Sequence, residues 1–597
     1  MLDPRIYRAA LLPLLPILAV AAFALHDQPK GASTALATDA FNGARAWSGA
    51  TGLTALQRAF PDRSPGSPGD QALADRVRDI LGAPACGGVP CYAVSVSTTH
   101  AQTLQGARRL ETIVAVRAGL SAQRIVILSH RDAVAPGSPA ELSGTAALLE
   151  LAHVLGGRAL NRTLVLVSTS GGSGGGGGAT AWAQTAPGPT DAVIVLGDLG
   201  SDRSGPGPLL VPWGAGRGQA PVVVTDTVGA ALRAETGLVP GATSVARQFA
   251  RLAVALTPGE QGGPVARGLP AVLLSLDGER AIPANAHVSQ ARLQSMGRTV
   301  LRAVLAFDSA RALPADRVER SIFTARQRVP EWAVTLLVGG ALFPVLLCAG
   351  DAAARARRRR QPLGRWIGWT AAAAMPFLIV AALARLLVAL GLLTAAPSAP
   401  VTSSLLVRGG RGDALLVAEA LALVLGLIAW HTLVPRLIGT QRRPDGIGPP
   451  AAVVLVAVLA TCVVWVVNPY AAALVVPLLH LALLALAPDL RLPRGPALGL
   501  LTLGLLPLIA VTWVYAGVLG VGPVGLAWTA LVLLASGSLG ALATVTWALL
   551  LGCLAGAAAT VLGRRDVVDD APAVSVRGPV GYAGPGSLGG TESALRR

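Results

Sequence analysis

From Trp332 to Leu562 the chain is a succession of apolar runs, each about 20 residues long, with charge confined almost wholly to their ends. In water such runs would have to be hidden on every side, whereas in a bilayer each is long enough to cross. Spans are therefore expected at about 332–350, 367–394, 414–434, 450–468, 471–487, 497–519 and 541–562. These make a polytopic α-helical membrane domain of about seven helices, or eight if GLAWTALVLLASGS (525–538) also crosses. The chain as a whole carries the same bias: 52% of its 597 residues are hydrophobic and 14% charged, which excludes a purely water-soluble globular protein. The membrane bilayer is thus an expected partner.

The net charge of +17 comes from arginine, Lys30 being the sole lysine. The arginines mark the ends of spans and do not gather on one soluble domain with interleaved aromatics, so nucleic acid is not an expected partner. RARRRR (355–360), Arg436 with Arg442 and Arg443, Arg491 with Arg494, and Arg564 with Arg565 follow alternate spans, as cytoplasmic loops require. Arg408 with Arg411 is the exception. The expected topology is a multi-pass plasma-membrane protein with both termini cytoplasmic. Its parts are a head (1–8), an anchor (9–25), an extracytoplasmic domain (26–328), the membrane domain (332–562) and a disordered Gly, Pro and Ser-rich tail (563–597). The anchor is expected to be retained, because no small-x-small cleavage site is clear after it. Abundant Ala, Gly, Leu, Pro and Arg suggest a high-GC, bacterial coding genome.

Residues 26–328 hold no long apolar run and are numerous enough for a core of their own. Short runs rich in Val, Ile and Leu at 124–130, 163–169, 191–198 and 270–276, bounded by Gly, Pro, Asn or Asp, predict buried strands. Helical spacing at 144–156 and 293–307 falls between and after them. The alternation predicts an α/β ectodomain with a mostly parallel central sheet flanked by helices. Cys86 and Cys91 close a short loop here, on the side of a membrane where a disulfide persists. Cys348, Cys462 and Cys553 fall inside apolar runs and are expected to behave as small hydrophobes.

The order of these pieces resembles the M28 family of zinc aminopeptidases over about residues 55–308. FPDRSPGSPGDQALADRVRDILG resembles the opening helix pair, IVILSHRD the strand that ends in His-x-Asp, and PGSPAELSGTAALLELAHVL the loop and helix that follow. NRTLVLVSTSGGSGGGGGA aligns with the strand and loop that carry a Glu-Glu pair, and VIVLGDLG with the strand ending in a metal-binding Asp. The resemblance implies two zinc ions held by two His and several carboxylates, with a Glu as base. Carried over position by position, it makes His130 and Asp198 vestigial metal ligands and Asp132 the acid that orients His130. The bridging carboxylate falls at Ala140 beside Glu141, the base at Gly172, the next ligand at Ser173, and the last His near Glu279, with His287 about eight residues away. On this reading the site is lost, no cofactor is expected, and no catalytic residue is assigned. The Gly tract 171–179 lacks the Lys-Ser or Lys-Thr of a phosphate loop and reads as a flexible loop in place of a catalytic one.

In the membrane domain Arg385 and Glu419 fall at similar depth and are expected to pair. His431 is expected to snorkel to the interface, and His480 to be a packed, hydrogen-bonded neutral ring. Three functions remain open. The first is a degenerate, pseudoenzyme M28-like module that binds a protein or peptide partner, or acts as a scaffold. Its plan of one span, an ectodomain and a polytopic bundle is similar to that of the GPI transamidase attachment-protein subunit. The second is an active zinc aminopeptidase using His130 and Asp198 with Glu141, Glu279 or His287. The third is a transporter or lipid-handling protein centred on Arg385, Glu419 and His480.

Overall fold

The computed structural model describes residues 4–563 apart from 28–29, 35, 84, 87, 104–105, 134–137, 187, 203–206, 242–243, 281, 283–284, 312, 314–317, 325–326, 394–411, 438–446, 488–489, 491 and 538. The expectations resting on Arg408, Arg411, Arg442, Arg443, Arg491, Arg564, Arg565 and the tail lie outside the described residues.

After helices α1 (Pro4–Leu11) and α2 (Leu14–Phe23) and the short strand β1 (His26–Asp27) come α3 (Gly43–Ser48), α4 (Leu53–Ala59) and α5 (Pro68–Gly82). A small hairpin, β2 (Ala85–Cys86) with β3 (Val89–Pro90), carries the Cys86–Cys91 disulfide, its Cα atoms 5.0 Å apart. The central sheet is built from β4 (Ala93–Thr103), β5 (Gly106–Arg117), β6 (Ser121–His130), β7 (Arg162–Thr169), β8 (Thr190–Leu196), β9 (Leu210–Val211) and β10 (Ala271–Leu274). Its order is β4-β5-β7-β6-β8-β10-β9.

The middle of the sheet, β7, β6, β8 and β10, is parallel, but both margins are antiparallel. The physical reason lies in the connections. β4 and β5 form a hairpin, and the link between Arg117 and Ser121 is too short for the crossover that a parallel neighbour needs. The central strands are buried along nearly their whole length, as continuous apolar runs require in a sheet covered on both faces.

One face, with Ile125, Ile127 and Leu166, packs on α6 (Ser143–Gly156), α8 (Val222–Thr236) and α11 (Gln290–Ser309). The other, with Val126, Val165 and Val193, packs on α7 (Gly177–Thr185), α9 (Val245–Ala253) and α10 (Gly262–Ala266). This second core is continuous with the helical bundle. β11 (Ile322–Phe323) and β12 (Gln327–Val329) then lead into the bundle, and β12 pairs with β1, so the two chain segments that enter the α/β domain run side by side.

The bundle comprises α12 (Glu331–Arg358), α13 (Leu363–Ala372), α14 (Met375–Ala389), α15 (Gly412–Leu437), α16 (Gly448–Val467), α17 (Pro469–Ala485), α18 (Arg494–Gly504), α19 (Leu506–Leu519), α20 (Pro523–Ala535) and α21 (Ala541–Leu562). Among the described residues six helices are long and apolar enough to cross a membrane, with α13 and α14 together making one of them and Arg5–Phe23 another. The pair α18 and α19, bent by 45°, gives a seventh if counted as one span. The segments expected to cross at 471–487 and 525–538 correspond to α17 and α20, which are apolar but shorter.

Polar ties fix the pieces together. Tyr7 donates its hydroxyl hydrogen to His480 Nδ1 (2.6 Å), and His480 Nε2 donates to the Ala341 carbonyl (2.9 Å), so the first helix, α12 and α17 are joined. At the junction with the α/β domain, Asn468 Nδ2 donates to the Leu252 and Ala253 carbonyls at 3.0 and 3.1 Å. The Tyr470 hydroxyl donates to Arg320 O (2.6 Å), and Arg280 Nη2 to Gly517 O (2.9 Å).

Candidate functional site

β6 carries His130 to the edge of the sheet, at the carboxyl end of its parallel strands, where α/β folds place their ligands. The imidazole is buried, and its Nδ1 lies 2.9 Å from Glu260 Oε2. Glu260 is held in turn by the Thr169 hydroxyl, which donates to Oε1 at 3.0 Å. Burial by itself would push the His130 imidazole down. The Glu260 carboxylate beside it, with Asp132 and Glu141 near by, more than reverses this and raises it to about 9. The other ring nitrogen, Nε2, is buried without a hydrogen-bond partner.

Glu260 has no counterpart in the sequence reading, and its position explains the Gly tract. A Cβ on Gly172 would sit 2.5 Å from Glu260 Oε1 and press on the His130 ring. At Gly176, whose φ is +65°, a Cβ would approach the Glu260 Cα to 3.2 Å. The tract expected to be a slack loop is therefore a turn (Gly172–Gly174) and the start of α7, stripped of side chains so that the segment bearing Glu260 can lie against it. Glu260 fills the space in which a side chain at Gly172 would stand.

The remaining positions are engaged in the same way. Asp132 accepts the Gly172 and Ser173 amide hydrogens at 3.0 and 3.2 Å, and the Ser173 hydroxyl as well. Asp198 accepts from the Ser143 hydroxyl (3.1 Å), the Gly200 and Ser201 amides (2.9 and 3.1 Å) and the Ser201 hydroxyl. Burial raises the Asp198 carboxyl, the Ser201 and Gly200 hydrogen bonds draw it down, and Asp277 adds a smaller upward push. Ala140 and Glu141 are buried in the turn before α6. Glu279 is drawn into a buried pair with Arg251 and accepts from the Thr257 hydroxyl, while Arg251 lies over the Tyr515 ring at 5.3 Å. His287 is 83% exposed and 3.5 Å from Asp202.

These donors do not fit the two-zinc pattern. Asp132 and Asp198 spend their oxygens on backbone and hydroxyl hydrogens and Glu279 faces a guanidinium, while the Nε2 of His130 is buried without a hydrogen-bond partner. Among the described residues no three His, Cys, Asp or Glu side chains are grouped so as to hold a metal ion.

Two further features escaped the sequence reading. Arg131 and Asp70 form a fully buried ion pair (2.9 Å) beside His130, with Ser170 and the Gly66 amide also bonded to Asp70. Burial raises the Asp70 carboxyl, and Arg131 opposes it. Arg63, also fully buried, donates to the Ser138 carbonyl, and burial pushes its guanidinium down. The signal for Asp70 lay in SPGD, where the Ser67 side chain caps α5 at Asp70 N, but a cap motif says nothing of a partner 61 residues away. Next to this region an open groove is lined by Trp47, Leu53, Gln57, Arg58, Pro139 and His287.

In the bundle the expected pair is not formed. Arg385 is exposed and donates to the Leu539 carbonyl at 3.4 Å, while Glu419 is buried with neither carboxyl oxygen hydrogen-bonded. Similar height along neighbouring helices did not bring the two side chains together. His431 is exposed.

No family model and no curated protein matches this chain. Solved structures similar to it include the Legionella pneumophila LapA aminopeptidase, at 12% identity and a TM-score of 0.35 over 48% of this chain and 79% of that one. A glutaminyl cyclase from an Acidobacteriales bacterium is similar at 15% identity and a TM-score of 0.36, over 47% of this chain and 99% of that one. A Zn-dependent exopeptidase from Parabacteroides distasonis is similar at 16% identity and a TM-score of 0.32, over 44% and 98%.

Proposed function

We propose that this is a multi-pass membrane protein whose α/β domain lies outside the cytoplasm and serves as a metal-free binding or scaffold module, a pseudoenzyme on an aminopeptidase-like frame. The observation that carries this reading is the replacement at the centre of the site, where Glu260 stands in the space that a catalytic side chain at Gly172 would need and grips His130. Hydrolysis needs an open metal position and a group that accepts the water's proton. Here the carboxylates that would serve are hydrogen-bonded into the fold. A protein or peptide partner would dock in the groove between Trp47, Arg58 and His287, where an exposed cation and imidazole flank a half-buried aromatic ring. The alternation of arginine-rich segments along the sequence supports a topology with both termini in the cytoplasm and the bilayer as the partner of the bundle.

The unpartnered Nε2 of His130 is the observation that favours the other reading, an active zinc peptidase. One experiment separates them. Full-length protein in detergent is loaded with zinc, dialysed and assayed for metal, beside a His130→Ala variant. The expected result is no zinc above the variant's background. Near-stoichiometric zinc that vanishes with His130 overturns the scaffold reading.

A further inference from the structure

Away from the α/β domain, α14, α15 and α20 pack together on an apolar cluster that includes Ala384, Leu387, Trp528 and Val532, with Leu415 and Leu416 against it. Glu419 follows Leu415 and Leu416 by four and three residues, which puts it on the same face of α15, one turn on. It is 5% exposed, and neither carboxyl oxygen has a hydrogen-bond partner. The indole N–H of Trp528, 2% exposed in the same cluster, has none either. Two orphaned polar groups, one an acceptor and one a donor, thus lie inside one three-helix unit of a bundle whose surroundings are hydrocarbon.

A bare, ionised carboxylate in such a place is strongly disfavoured, whereas the protonated acid is tolerated. Once the proton leaves, the carboxylate needs donors, and the facing helices offer two. One is the Trp528 N–H, and the other is the Arg385 guanidinium, held on α14 by a single long bond to Leu539 O. The other charged groups are remote or absent. α20 carries no ionisable side chain, α21 has only the buried thiol of Cys553, and α13 brings only Arg365. Arg365 belongs to the end where Trp430 Nε1 donates to Trp369 O, roughly 16 Å along α15 from Glu419, where His431 and Arg436 also lie. Asp413, at the start of α15, is outside the described side chains.

We propose that Glu419 is a proton-binding site within the membrane domain. The carboxyl holds its proton in the arrangement described. On release, the proton passes to water beyond the helix end, and the carboxylate is taken by Trp528 and by an Arg385 that leaves Leu539. The site is independent of the reading given above for the α/β domain.

The test uses the full chain in phosphatidylcholine nanodiscs, treated with dicyclohexylcarbodiimide, which adds to protonated carboxyls in apolar surroundings, with the modified residue located by peptide mass spectrometry. The expected result is label on Glu419 whose rate falls at least about tenfold between about pH 6 and about pH 9. In Arg385→Ala, labelling should persist to higher pH, because the ionised form has lost a partner. A labelling rate independent of pH overturns the proposal. If no label appears, the infrared carbonyl band of a protonated carboxyl decides: it must titrate in the wild type and be missing in Glu419→Gln, and its absence from the wild type overturns the proposal.

Discussion

The surroundings of His130 and those of Glu419 bury charge in opposite ways. Around His130 three buried charge pairs form, Arg131 with Asp70, His130 with Glu260 and Arg251 with Glu279, each within hydrogen-bonding reach. Glu419 has no such partner among the described residues. Burying an ion pair costs desolvation that good geometry recovers, whereas a lone buried group is a debt that only a proton or a ligand removes. Matched charges therefore read as structure, and an unmatched one as function.

The largest expected effect comes from breaking a matched set. Asp70→Ala leaves Arg131 buried and alone and should destabilise the α/β domain by about 3–5 kcal/mol, read from thermal unfolding of the full chain in detergent. The double variant Asp70→Leu with Arg131→Met should recover most of that loss. If Asp70→Ala alone is neutral, the pair is not what holds this corner.

The His130 pair gives a pH signature. Its folded-state value is raised from 6.5 to about 9, so its contribution is fully present below about pH 6.5 and is lost as the pH rises through about 9. Stability should fall across that window by about 3 kcal/mol, and His130→Gln should flatten the slope. A profile in the wild type as flat as in the variant would remove the pair from the matched side of the comparison.

Gly172→Ala should cost about 1–3 kcal/mol, because its Cβ runs into His130 and Glu260, and Glu260→Ala in the same chain should relieve part of it. Glu419→Leu, by contrast, should be neutral or stabilising by about 1 kcal/mol, since it removes an unmatched group. A large loss of stability there would show that Glu419 is tied into the fold after all. Smallest of all, Arg78→Ala, which removes an exposed pair with Asp75 at 2.8 Å, should stay within about 0.5 kcal/mol.

Much of the frame could be read from the chain before any coordinates. The central strands ending at His130, Thr169 and Leu196 and the helices at 143–156 and 290–309 follow from run length and periodicity, which depend on neighbours in sequence. The antiparallel margins were missed because strand order depends on connections, and β7 inserts between β5 and β6 with no local sign. At the site, His130 and Asp132 were singled out through the resemblance of the strand end IVILSHRD to the M28 pattern, and Asp198 through that of VIVLGDLG. Glu260 and Asp70 were not, since they reach the site from 130 and 61 residues away in sequence. Glu260 lies in TPGEQGG, which reads as an ordinary turn. Arg385 and Glu419 were matched by expected depth alone, and which side chains of neighbouring helices meet is set by packing that a hydropathy pattern does not encode.

The bond between Tyr7 and His480 spans 473 residues. A ribosome adding about 5–20 residues per second needs tens of seconds to cover that distance. The first helix is therefore made tens of seconds before its partner. Every residue of the α/β domain is made in that interval, so the bundle can close around its first helix only after the α/β domain has been synthesised.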